Sequence, residues 1–190
     1  MKKLFFVLFV YFLNFQVFAQ KFKGYYITNS SDTIQCSFDV EVNIFDRKDF
    51  ERYSVKNKVK ILNNEGQKIL FKPNEIQSFF IKGTKTGDYK FVSLSGNKFF
   101  YHELVNGKLS FYKVYRHNSG GALGALASEE YYLLKDEKLV QINPLNLRKG
   151  LGKQIEDYPE LYQKWMDSNK YYRLNQFEEV VKLYNQHFEK

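Results

Sequence analysis

The chain has 190 residues, 29 Lys and Arg against 21 Asp and Glu for a formal charge of +8, and it is 44% hydrophobic and 18% aromatic. That apolar content excludes intrinsic disorder, since a domain of about 150 residues hides roughly two-thirds of its unfolded surface. A single cysteine excludes an internal disulfide, so a packed core must hold the fold.

The chain opens on Lys2 and Lys3, runs apolar from Leu4 to Phe18, and presents Val17-Phe18-Ala19 before Gln20, the grammar of a cleaved export signal. Asn14 and Gln16 interrupt the run, and Lys21 and Lys23 follow it. A retained helix would want about 20 apolar residues, so no transmembrane helix is expected after cleavage. Losing Lys2 and Lys3 and no acid lowers the charge to +6. Such a balance suits anionic surfaces, and equally an ordinary soluble protein. Cys36 lies too far from the apolar run for a lipid-anchoring site. The expected organisation is a signal over 1–19 and one α+β domain over 20–190, with its β part at 20–142 and its helical part at 146–190.

Ile34, Cys36, Phe38 and Val40 alternate with polar residues and share one face of a strand, which makes Cys36 a small core hydrophobe. Tyr25 to Thr28 should pair with that strand through Asn29-Ser30-Ser31-Asp32. Further strands are expected at Val59 to Leu62, Lys68 to Lys72, Ser78 to Ile81, Tyr89 to Leu94 and Phe99 to Val105. Asn106-Gly107 predicts a type I′ turn, whose two central residues both need positive φ, into a strand from Lys108 to Arg116. A last hairpin is expected from Tyr131 to Leu134 and Leu139 to Ile142. About nine short strands with regular turns predict an antiparallel sandwich or barrel-like sheet.

After Asn143-Pro144 the period becomes helical. Leu147, Leu151 and Ile155 recur at fourfold spacing, weakened by Gly150 and Gly152. Asp157 and Glu160 predict a capping box with Pro159 in the first turn, ahead of an apolar face of Tyr158, Leu161, Tyr162 and Trp165. Asn175 is expected to cap a third helix, with Glu178 answering and Phe177, Val180, Val181, Tyr184 and Phe188 facing the sheet. The long gap singled out between elements is His117 to Ser128.

Catalytic and metal chemistry finds little equipment. His102, His117 and His187 are isolated, His102-Glu103 lacks a second histidine four positions on, and no Cys pair or Asp-rich calcium loop occurs, so no metal and no cofactor are expected. No Gly-x-Ser-x-Gly elbow occurs, and Gly120-Gly121-Ala122-Leu123-Gly124 lacks the Lys-Ser/Thr of a phosphate loop. Carboxylates such as Glu103, Glu129 and Glu130 could converge only through the fold. Arg47, Lys48, Arg52, Lys56, Lys58 and Lys60 form a basic cluster, but acids interleave with it and export removes the chain from nucleic acid.

Two features invite binding. Tyr25-Tyr26, Phe79-Phe80, Phe99-Phe100-Tyr101, Phe111-Tyr112 and Tyr131-Tyr132 put rings on both faces of a sheet, as packing or as a groove for sugar or lipid. The uncharged loop after His117 is long enough for a lid, a partner-binding tip or a membrane-dipping tip, and equally for a mobile linker between two hairpins. The candidate ligand or partner contacts are therefore His117, Gly120, Gly121, Leu123, Leu126, Tyr131 and Tyr132.

Phe18-Ala19-Gln20, Gly24-Tyr25-Tyr26-Ile27-Thr28-Asn29 with Asp32-Thr33-Ile34, Asn106-Gly107-Lys108-Leu109-Ser110-Phe111-Tyr112, Tyr131-Tyr132-Leu133, Tyr158-Pro159-Glu160-Leu161 and Val180-Val181-Lys182-Leu183-Tyr184-Asn185 stand in that order. With them the chain resembles a family of small exported proteins of Bacteroidota to which no activity is assigned. Members often carry Cys directly before Pro-Glu-Leu, where this chain has Tyr158. The resemblance implies export to the periplasm or outer-membrane periphery of a Gram-negative cell, or secretion, and supplies no catalytic residues. The reading that results is a non-enzymatic envelope module. Its expected partners are an envelope component (glycan, lipopolysaccharide or lipid) or a periplasmic protein, and no nucleic acid. A glycan or lipid hydrolase is the alternative.

Overall fold

Strands with apolar residues at alternate positions have a face to bury and a backbone to pair, and sharing one sheet does both. The computed structural model describes residues 21–43, 46–63, 65–96, 98–117, 127–167 and 174–189. The strands are β1 (Phe22–Thr28), β2 (Thr33–Phe38), β3 (Val59–Leu62), β4 (Lys68–Phe71), β5 (Ile76–Thr84), β6 (Gly87–Ser93), β7 (Phe100–Val105), β8 (Leu109–His117), β9 (Ala127–Lys135) and β10 (Lys138–Ile142). Helices α1 (Leu147–Gln154), α2 (Pro159–Asp167) and α3 (Leu174–Phe188) follow. The expected export signal lies outside the described residues.

The ten strands form one antiparallel sheet in the order β10-β9-β8-β7-β6-β5-β1-β2-β3-β4, which does not close into a barrel. Every neighbouring pair is consecutive in sequence except β1 against β5. The α+β architecture is therefore the expected one. The role that a second sheet would play in a sandwich falls to other segments on the same face of the sheet.

One of them is the excursion between β2 and β3, which carries a 3-10 turn at Arg52–Val55. It sets Val40, Phe50 and Val55 against Phe22, Phe38, Ile61, Phe79, Ile81, Phe91 and Phe100, all at most 8% exposed. Each such aromatic contributes on the order of 2–3 kcal/mol through its burial. The other is the helical tail, whose Leu151, Ile155, Trp165, Phe177, Val181 and Tyr184 cover Leu109, Phe111, Tyr131, Leu133 and Ile142. A third cluster, Tyr101, Tyr112, Val114 and Tyr132, lies on the opposite face. Adjacent rings do divide between faces: Phe79 stacks inside on Phe91 at 4.9 Å, while Phe80 stacks on Tyr25 at 5.3 Å.

Gly150 and Gly152 weaken α1 as a helix and permit close packing. A Cβ at Gly152 would lie 3.0 Å from Met166 Sδ, and the α2 residue Trp165 donates from Nε1 to the α1 carbonyl of Arg148 at 2.8 Å.

Three local expectations are corrected. Asn106 does not take positive φ, whereas Gly107 does (+157°), so the turn is not type I′. The ladder closes at Val105 and Phe111 after a bulge, which leaves a longer loop. Asn185 of α3 fills it, its Oδ1 accepting from Leu109 N at 2.8 Å and its Nδ2 donating to Leu109 O at 2.9 Å. Asp157 is spent across the fold rather than in a capping box, accepting from Tyr184 Oη at 2.8 Å and Lys135 Nζ at 2.8 Å. Asn175 lies inside α3 rather than at its cap, and Glu178 pairs instead with Lys182 at 2.7 Å.

Candidate functional site

The gap from His117 to Ser128 is shorter than expected, because β8 runs through His117 and β9 begins at Ala127, the two paired. Gly120, Gly121, Leu123 and Leu126 lie outside the described residues. The second gap, residues 39–58, is the one that builds the most chemistry. No alternation marks it in sequence, yet the core holds it through Phe50 and Val55.

Between this excursion and the sheet lies a cavity of about 280 Å³ lined by Glu51, Arg52, Tyr53, Thr86, Tyr89, Lys113, Tyr115 and Glu129. Its residues come from four places: the excursion, the β5–β6 turn, β6, and the β8·β9 ladder. It therefore sits on the sheet face between the two main cores.

The excursion side is fixed by one guanidinium. Arg52 Nε donates to Tyr89 Oη at 2.8 Å, and Nη2 donates to Asp49 Oδ2 at 2.6 Å and Thr86 Oγ1 at 2.5 Å. The guanidinium carbon stands 4.8 Å from the centre of the Tyr89 ring. Burial works against the Arg52 charge, and the bonds from Tyr89 and Asp49 outweigh it, so the group stays protonated more firmly than usual. Asp49 is 6% exposed, and its other oxygen accepts from Phe50 N at 2.9 Å.

The sheet side is organised by Lys113 and Glu129. Lys113 Nζ reaches both Glu129 oxygens, at 3.2 and 3.1 Å, and stands 5.4 Å from the Tyr131 ring centre. Tyr131 Oη donates to Glu129 as well. Beneath them His102 packs against Tyr89 and Phe91, with Nδ1 2.8 Å from Tyr115 Oη. Burial, aided by the charges of Lys113 and Arg52, pushes the His102 imidazole down to about 3. It is neutral at neutral pH and carries no imidazolium proton there. Burial likewise raises the Tyr115 hydroxyl, and it lifts the Cys36 thiol to about 12, which leaves that cysteine an inert core residue.

The candidates named from sequence divide. His117 packs at a tilt against Tyr53 with ring centres 4.6 Å apart, beside the cavity lining, and Tyr131 contacts that lining through Glu129. Tyr132 lies on the opposite face, where its hydroxyl donates to Glu130 at 2.8 Å. Glu103, Glu129 and Glu130 do not converge: Glu103 pairs with Lys90 at 2.8 Å, Glu130 pairs with Arg116, and only Glu129 lines the cavity. Sequence reasoning missed Glu51, Tyr53, Thr86, Tyr89, Lys113 and Tyr115. Arg52 stood within a basic run, and its real partner is an aspartate three residues away.

Among the described residues no group of three His, Cys, Asp or Glu side chains could hold a metal ion. Among them, too, no helix is long and apolar enough to cross a membrane. No protein-family model, curated protein or solved structure matches the chain.

Proposed function

We propose that this chain is an exported, envelope-associated binding protein without catalytic activity, and that the cavity takes one or two sugar units of an envelope glycan. The observation that supports this reading is the cavity lining. Tyr53 offers a partly exposed ring for a sugar face, the buried Tyr89 and Tyr115 bring ring edges to the wall, and two cations, Arg52 and Lys113, stand against two carboxylates, Glu51 and Glu129. The balance of two cations and two carboxylates gives no advantage to an anion, and Arg52 is already committed to Asp49. A polyhydroxylated neutral or amino-bearing ligand fits that balance better than a phosphate or an anionic lipid head.

The test is thermal unfolding with envelope oligosaccharides, lipopolysaccharide and anionic vesicles. A ligand at about 100 times its Kd adds roughly 2.7 kcal/mol to the folded state. Oligosaccharide should raise the midpoint, and Glu51→Ala should abolish the rise while leaving the ligand-free midpoint near that of the wild type. A rise with vesicles alone, or one that survives Glu51→Ala, refutes the assignment. A second reading rests on Glu51 and Glu129 lining one cavity, as a carboxylate pair for glycoside hydrolysis would. New reducing ends released by the wild type and not by Glu51→Gln or Glu129→Gln would decide for it.

A further inference from the structure

The face of the sheet that turns away from the excursion and the helices carries cations of two kinds. Lys68, Lys90 and Arg116 each hold a carboxylate, from Asp39, Glu103 and Glu130. Among the described residues, Lys23 and Lys82 hold none. In the β1·β5 ladder Tyr25 faces Phe80 and Gly24 faces Ile81, so Lys23 and Lys82 stand on neighbouring strands and on one face, each two residues along from the stacked Tyr25 and Phe80 rings. Like charges placed this way repel. Lys82 Nζ lies 5.3 Å from the centre of the Tyr25 ring and 5.6 Å from that of Phe80, contacts that hold the ammonium over the sheet.

Both lysines line one recess of about 520 Å³, with Ser37 and Gln35 of β2 in its floor and Leu62 and Asn63 at its far wall. No lining residue is acidic, whereas the tyrosine-lined cavity sets two carboxylates against its two cations. The carboxylates on this part of the face are committed elsewhere: Asp39 to Lys68 at 2.8 Å, and Asp88 to the backbone N–H of Gly83 at 2.8 Å. Lys23 and Lys82 are exposed, so a ligand reaches both ammonium groups without disturbing the core. Ser37 is the direct cross-strand partner of Lys23, which sets a hydroxyl beside that ammonium.

We propose that the recess between Lys23 and Lys82 is a receptor for a phosphate monoester, borne by a soluble sugar or by a lipid headgroup. At neutral pH a monoester carries a charge of about −1.5 to −2, which two ammonium groups match, whereas a carboxylate or a phosphodiester brings only one negative charge. The two Nζ groups donate charge-assisted hydrogen bonds to its oxygens, and the Ser37 hydroxyl donates a third. The bound dianion turns the repulsion between the lysines into attraction, and the rest of the recess receives the group that carries the phosphate. The site shares no lining residue with the tyrosine-lined cavity, so it does not depend on the sugar assignment.

The experiment is calorimetric titration with glucose 6-phosphate and with glucuronate, and flotation on phosphatidylcholine vesicles containing either phosphatidic acid, a monoester, or phosphatidylglycerol, a diester. Amide chemical shifts of the protein are mapped in parallel. Glucose 6-phosphate should bind at least tenfold more tightly than glucuronate, weaken with salt, and shift Lys23, Ser37 and Lys82. Lys23→Gln and Lys82→Gln, each at an exposed position, should each weaken binding at least fivefold. Lys60→Gln removes the same charge from the same face outside the lining and should change it less than twofold. Flotation with phosphatidic acid and not with phosphatidylglycerol, lost in the same two variants, supports the site equally and assigns the monoester to a lipid. Equal affinity for glucuronate, equal flotation on both vesicles, or a loss in Lys60→Gln as large as in the other two would overturn the proposal. So would shifts confined to the tyrosine-lined cavity, or binding of neither glucose 6-phosphate nor phosphatidic acid.

Discussion

His102 should make the stability of this protein depend on pH in a way that one substitution removes. Its imidazole is pushed down to about 3 in the fold from an ordinary value of 6.5. Between these values the unfolded chain binds a proton that the folded chain refuses. Stability is therefore fully present above pH 6.5 and falls as the pH drops through the window down to about 3. From pH 8 to pH 4.5 the loss amounts to about 2.5 kcal/mol, and it changes by only about 0.2 kcal/mol if the folded value is one unit higher. His102→Gln keeps a carbonyl that can accept from Tyr115 Oη and does not titrate. Urea unfolding of both proteins across that range cancels the carboxylates they share. The wild type should lose about 2.5 kcal/mol more than the variant, with a slope near 1.3 kcal/mol per pH unit around pH 5.5. Parallel curves would refute the reasoning, and so would an NMR titration placing the His102 ring near 6.5.

Asn185→Ala would leave the N–H and C=O of Leu109 buried without partners, so urea unfolding should show a loss of roughly 2–5 kcal/mol, and a loss below about 1 kcal/mol would contradict the role given to this side chain. Gly24→Ala would place a Cβ 1.8 Å from the backbone oxygen of Phe80, which no rotamer change relieves. Its circular-dichroism melt should lose at least about 3 kcal/mol or all cooperativity, and a near-native melt would contradict the close approach of β1 to β5.

Much of the sheet was legible because its strands obey a period of two. Val59 to Leu62 was placed without error, and the boundaries of most other strands moved by one to three residues. Where a long-range contact decides the local structure, the sequence was silent. Asn106-Gly107 has the composition of a type I′ turn, yet the amide of Asn185, some 80 residues later, sets the loop. Asp157 has the spacing of a cap, yet Tyr184 and Lys135 draw it elsewhere. The cavity was almost invisible for the same reason. Its excursion carries no period, and Arg52 differs from its basic neighbours only in having Asp49 behind it and Tyr89 and Thr86 in front. The His117 loop drew attention by length, while the residues that build the lining are single members of ordinary strands.

The order of the strands makes one seam unlike the rest of the molecule. Every hairpin can zip from its own turn, but β1 must find β5, with Gly24 opposite Ile81. Closing that span costs about 1.5 kcal/mol more chain entropy than closing a ten-residue loop. Contacts of this separation slow folding more than local ones do. The two meanders on either side can form first, and the step that joins them is expected to be the slower one. Until it occurs, β1 and β5 each expose an unpaired backbone to solvent and to other chains. Gly24 lies on that seam, where a Cβ would meet the Phe80 carbonyl, so the residue that permits the close approach stands at the joint between the two meanders.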